Sequence, residues 1–146
     1  MRSIHINIPL ALLTATLIIG CGGGGSSSSY NAKALLVGKT LYEHCSNEPS
    51  GTYRKYFHGE QTCTNTDYEN NAVDDVDTFP CTYQSNRVSF TGNGGSGYCE
   101  ITSTTEHSIS FACYDTSVPP PVKILETTVW DTLAGAYNHV NPCTKF

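Results

Sequence analysis

Short runs of aromatic and β-branched residues, broken at intervals by Gly, Pro, Asn and Ser, recur from about residue 35 to residue 128. Runs of this length and composition suit a pleated, half-buried surface. They predict strands over Leu35–Glu43, Tyr53–Thr64, Phe79–Gln84, Arg87–Thr91, Gly97–Ser103, Ser108–Tyr114 and Val122–Thr128. The turns between them fall at Glu48-Pro49-Ser50-Gly51, Gly92-Asn93-Gly94-Gly95 and Pro119-Pro120-Pro121. There Gly admits positive φ and Pro removes a ladder donor.

The clearest hairpin is Gly97–Tyr114, folded about Thr105-Glu106-His107. Pairing positions that sum to 212 sets Cys99 opposite Cys113, Ile101 opposite Phe111 and Ser103 opposite Ile109, all on one face by the two-residue period of a strand. Beyond residue 128 the period changes. Trp130, Leu133, Tyr137 and Val140 follow helical spacing, Thr128 and Asp131 match a capping box with Asp in place of Glu, and Pro142 stops the run. A short helix from about Val129 to Val140 is expected, its Trp130 face sealing the β-structure.

Seven cysteines stand in the chain. Six of them, Cys45, Cys63, Cys81, Cys99, Cys113 and Cys143, form an even set that reads as three disulfides, for which 15 connectivities exist. The hairpin register points to Cys99–Cys113. Cys63–Cys81 would close a long polar loop, which leaves Cys45–Cys143 as a clip between the ends of the domain. No C-x-x-C pair is present, so zinc is not expected and no metal or other cofactor is assigned. The fold class is therefore mainly β, a small antiparallel meander or barrel-like domain with a short C-terminal helix and three disulfides.

The first thirty residues obey different rules. Arg2 and the α-amine precede an apolar stretch from Ile8 to Ile19, then Gly20, Cys21 and a Gly/Ser run from Gly22 to Ser29. The apolar stretch falls short of the roughly 20 residues that a spanning helix needs, and Pro9 interrupts its start. The arrangement resembles the signal of bacterial lipoproteins, in which the cysteine is acylated and becomes the first mature residue. That resemblance implies a signal peptide over residues 1–20, an acylated Cys21 with a flexible tether over 21–32, and a β domain over 33–146. It also implies a membrane partner held through lipid alone, and Gly22, where aspartate would retain the protein at the inner membrane, implies the outer membrane with the domain in the periplasm or at the cell surface. Two or more acyl chains give stable anchoring, and the Gly/Ser run reaches on the order of 15–20 Å.

From Cys21 onward seven basic side chains face 13 acidic ones, a net charge of −6. Nucleic acid is an unsuitable partner for such a chain. His44, His58, His107 and His139 belong to no HExxH or local Ser/His or Cys/His pattern, so no catalytic residue is assigned and no enzyme is expected. The acidic segment Asp67–Asp77 begins like a calcium loop but has Ala72 where the sixth-position glycine belongs and Thr78 in place of the twelfth-position glutamate. It reads as a solvated loop.

Two further resemblances bear on function. Ser50-Gly51-Thr52-Tyr53-Arg54-Lys55-Tyr56 is similar to the Ser-Gly-x-Lys-Tyr loop of membrane-bound lysozyme inhibitors, with three residues rather than one between Ser-Gly and Lys-Tyr. It implies Ser50, Lys55 and Tyr56 as partner-binding residues. Leu35-Leu36-Val37-Gly38-Lys39-Thr40-Leu41-Tyr42 resembles the first strand of small lipocalin-like bacterial lipoproteins, whose activity is generally undefined. A closed barrel of about eight strands has room for one small apolar ligand, with Tyr42, Phe57, Phe90 and Phe111 as candidate lining, although as plain core these aromatics fit better. The expectation is thus a non-catalytic binding domain, a carrier of a small apolar ligand, with a protein-partner module as the alternative.

Overall fold

The computed structural model describes residues 29–92 and 95–145. The expected signal, Cys21 and the Gly/Ser run up to Ser28 lie outside the described residues. The elements run α1 (Ala32–Leu36), β1 (Thr40–Glu43), β2 (Tyr53–His58), β3 (Thr62–Glu69), β4 (Ala72–Gln84), β5 (Arg87–Gly92), β6 (Gly95–Thr104), β7 (Ser108–Asp115), β8 (Val122–Trp130), α2 (Leu133–Asn138) and β9 (Thr144–Lys145). Each strand pairs antiparallel with the next, and β1 meets β8 at Tyr42 and Trp130, so β1 to β8 close into a barrel with β9 added on β8. The mainly β class and the antiparallel meander are those expected, and the strands close it into the barrel-like alternative.

Local chemistry accounts for the boundaries that differ from expectation. Leu35–Glu43 is not one strand. Asn31 accepts a hydrogen bond from the Ala34 N–H through its side chain and starts a helical turn, and Gly38, at φ 79°, redirects the chain before β1. Ala32 and Leu36 are wholly buried, so the folded domain begins ahead of Lys33. The run Tyr53–Thr64 is split at Gly59, where a Cβ would stand 2.7 Å from the Thr62 carbonyl oxygen. The acidic segment forms no loop. It makes the β3–β4 hairpin, turned at Asn70 and Asn71 with φ of 52° and 62°, the pair of positive values that a tight two-residue turn needs. β4 consequently starts at Ala72 rather than Phe79.

The expected helix over Val129–Val140 shrinks to Leu133–Asn138, because β8 runs on through Trp130 and Thr132, not Thr128, caps it by accepting from the Gly135 N–H at 3.0 Å. Trp130 stands on the outer face of β8 and stacks on His139 at 3.9 Å, and Val140 is 88% exposed. In the β6–β7 hairpin the pairs Cys99–Cys113 and Ile101–Phe111 hold, but a bulge after Ile101 sets Ser103 opposite Ser110.

The three disulfides join Cys45 to Cys143, Cys63 to Cys81 and Cys99 to Cys113, the expected set. α1 closes one end of the barrel, with Ala32 N–H donating to the Ser85 carbonyl at 2.7 Å and Leu36 in the same core as Cys63, Cys81, Val88 and Ile101. Along β4 only Cys81–Gln84 pair with β5, so Ala72–Phe79 are bonded to β3 alone among the described residues.

Candidate functional site

Alternation along the strands decides what the lumen contains. Leu41 and Glu43 of β1 are buried, and the register places Tyr56 of β2 beside Leu41 and Asn65 of β3 beside Tyr56. Phe79, Val88, Phe90, Phe111, Leu125 and Val129 complete the wall of a cavity of about 230 Å³ inside the barrel. Of the four aromatics expected to line it, Phe90 and Phe111 do so. Phe57 borders it with 44% of its surface exposed, and Tyr42 belongs to the outer face, opposite Lys55 and Trp130. Gly97 makes room for the Phe90 ring: a Cβ there would lie 2.8 Å from that ring and 2.6 Å from the Tyr114 carbonyl oxygen.

The polar groups around the cavity are nearly all engaged. Glu43 is 1% exposed and accepts hydrogen bonds from the Tyr56 hydroxyl at 2.5 Å and from the Thr127 hydroxyl, with Arg54 Nη1 at 3.6 Å. Asn141 Nδ2 supports Thr127 at 3.2 Å. Burial, and then the neighbouring Glu43, raise the Tyr56 phenol well above its usual range, so it stays a donor. Burial opposes the charge on Arg54, but Tyr56, Glu43 and Asp67 together hold it raised, and its Nε donates to Asp67 Oδ1 at 3.0 Å. Cys45 and Cys143 lie against Glu43 but are joined to each other, which leaves no thiolate to ligate a metal in this cluster.

Near the α1 end, burial lowers His58 to about 4, so its imidazole is neutral at pH 7. Its Nδ1 lies 3.5 Å from the Tyr83 hydroxyl, which itself donates to the Gly59 carbonyl at 2.8 Å. Asn65 differs from these. It lines the cavity, and its buried Oδ1 has no hydrogen-bond partner among the described residues. Sequence reasoning passed over Asn65, although the parity of β3 contains the signal: Cys63 must face inward to reach Cys81, and Asn65 two residues on shares its face.

The residues of the Ser-Gly-Lys-Tyr resemblance are divided between surfaces. Ser50 is exposed in a turn whose next residue, Gly51 at φ 90°, donates its N–H to the Tyr137 hydroxyl at 3.1 Å. Lys55 faces outward with Nζ 5.5 Å above the Tyr68 ring, while Tyr56 faces inward onto Glu43. Tyr53 stacks on Tyr68 at 4.3 Å on that outer face. The other histidines have local partners: His44 the Thr52 carbonyl at 2.7 Å, His107 the Asp131 carboxylate at 2.8 Å, and His139 the Gly135 carbonyl at 2.8 Å. Comparison of the chain with protein-family models, with curated proteins and with solved structures found no match.

Proposed function

We propose that the protein is a non-catalytic, membrane-tethered carrier whose barrel lumen holds one small, mostly apolar molecule. The observation that supports this reading best is the cavity of about 230 Å³ walled by Phe79, Val88, Phe90, Phe111, Leu125 and Val129. An apolar cavity of about 150 Å³ is enough to admit benzene, so a single aromatic ring fits here. Tethering is carried by the sequence of the first thirty residues, with Cys21 as the acylated residue and the outer membrane as its place.

Titration of the oxidised protein with toluene, followed by amide chemical shifts, tests the carrier role. Shifts confined to the lumen strands are expected, and they should disappear in Val88→Phe, which fills the cavity. Shifts that are absent in the wild type, or unchanged in Val88→Phe, would remove the lumen as a binding site.

A second reading, binding of a protein partner, is supported by the outer face of β2 and β3, where Lys55, Phe57, Tyr53 and Tyr68 stand together and Phe57 is 44% exposed. Aromatic side chains of this kind are enriched in protein interfaces. Lysozyme is the partner to try first. Inhibition by the wild type that is lost in Lys55→Ala is the expected result, and lysozyme that stays fully active beside the wild type excludes it.

A further inference from the structure

We infer that the lumen selects a molecule with a hydrogen-bond donor, a hydroxyl or a ring N–H, on an otherwise apolar body, and that Asn65 Oδ1 is its acceptor. The inference rests on the lumen being a ligand cavity and names the class of ligand. Among the described residues the Tyr56 and Thr127 hydroxyls are committed to Glu43 and the Tyr83 hydroxyl to the Gly59 carbonyl, whereas Asn65 Oδ1 is buried without a partner. A buried acceptor left without a donor is destabilising, and an apolar residue of similar shape in its place is not. Such a group is retained in a lumen wall without loss when something else supplies the donor.

Charge decides between donor and acceptor on the ligand. The cross-strand neighbour of Asn65 on β4 is Asp77. Asp77 and Asp115 also border a groove at the far end of the barrel from α1, which shares Phe79, Phe90 and Ile124 with the cavity and so continues it outward. Two carboxylates along the approach favour a neutral or cationic donor and disfavour an anion. A phenol, an indole or an aromatic amine therefore suits the lumen, and a carboxylate-bearing molecule does not.

Phenol, toluene and benzoate have nearly the same shape and differ in this group alone. Calorimetric titration of the exported, oxidised chain carrying Cys21→Ser, which lacks the acylation site, compares the three in the presence of Asn65 and in Asn65→Leu. Benzoate should not bind, and Asn65→Leu should lower the phenol-to-toluene affinity ratio by about tenfold or more, because the hydroxyl then enters without a partner. In the wild type, phenol should also move the Asn65 side-chain amide resonances beyond the ring-current shift that toluene causes, a readout independent of how well the variant folds. A ratio unchanged in Asn65→Leu, amide resonances that phenol moves no further than toluene does, or benzoate binding as tightly as phenol would overturn the inference while leaving the cavity in place. Failure of both toluene and phenol to bind the wild type would overturn the cavity reading itself, and this inference with it.

Discussion

The Tyr56 hydroxyl donates to Glu43 Oε2 across 2.5 Å and so ties the wall of the lumen to a carboxylate that is 1% exposed. Tyr56→Phe removes that donor and leaves an oxygen of a buried carboxylate under-satisfied. A loss of about 1.5–3 kcal/mol is expected, the range for hydrogen bonds to charged groups. Urea unfolding of the variant beside the wild type measures it, and a change below about 0.5 kcal/mol would show that Thr127 and Arg54 suffice to hold Glu43.

His58 makes stability depend on pH in one direction. Burial lowers it to about 4 in the folded protein from 6.5. The unfolded chain therefore binds the proton first, and stability that is complete above about pH 6.5 is lost as the pH falls toward 4, by at most about 3 kcal/mol. His107 has the opposite sign, since its hydrogen bond to Asp131 raises it, and its contribution is present at low pH and lost as the pH rises through its folded value. Unfolding free energies at pH 7 and pH 4.5 should converge in His58→Gln relative to the wild type, and an unaltered slope would place the acid sensitivity elsewhere.

Gly97→Ala sets a methyl against the Tyr114 carbonyl and the Phe90 ring. Overpacking of this kind costs about 1–3 kcal/mol. Because Phe90 also lines the cavity, the variant should bind toluene more weakly as well as unfold at a lower temperature. A lower unfolding temperature with unchanged toluene affinity would separate the glycine from the lumen.

Cys45 and Cys143 are 98 residues apart, against 14 for Cys99 and Cys113. In the chain-entropy account the longer loop contributes about 4.7 kcal/mol and the shorter about 3. Cys45→Ala/Cys143→Ala should therefore destabilise more than Cys99→Ala/Cys113→Ala, as thermal unfolding of the two double variants would show. The reverse order would mean that packing lost around the two bonds, not loop closure, governs their contribution.

Where inward and outward positions alternate under a short turn, the sequence is easy to read. Cys99, Ile101, Phe111 and Cys113 alternate across a three-residue connection, and that register by itself pairs Cys99 with Cys113. Legibility ended where a local signal outweighed the apolar pattern. Asn31 and Gly38 turn part of an aliphatic run into α1, and neither belongs to the strand pattern around it. Asp74, Asp75 and Asp77 concealed β4, because charge is read as loop although an edge strand bears it well. The helical spacing of Trp130 to Leu133 and Tyr137 straddles the strand-to-helix junction and so imitates one longer helix. Asn65 could be placed by parity with Cys63, but whether its amide had a partner depended on Tyr56, Phe79 and Thr127, which come from three other strands.

The half of β4 bonded to β3 alone has a consequence for how copies behave together. Among the described residues Ala72–Phe79 pair with β3 alone, and Val73 and Val76 are 57% and 54% exposed, which is the surface a second molecule needs in order to extend a sheet. Copies anchored in one membrane, as proposed, meet repeatedly at a high two-dimensional density. Asp74, Asp75 and Asp77 bring like charges together whenever two such edges approach, which opposes that pairing. On a crowded membrane, resistance to sheet extension is then supplied by a row of carboxylates rather than by a covering element.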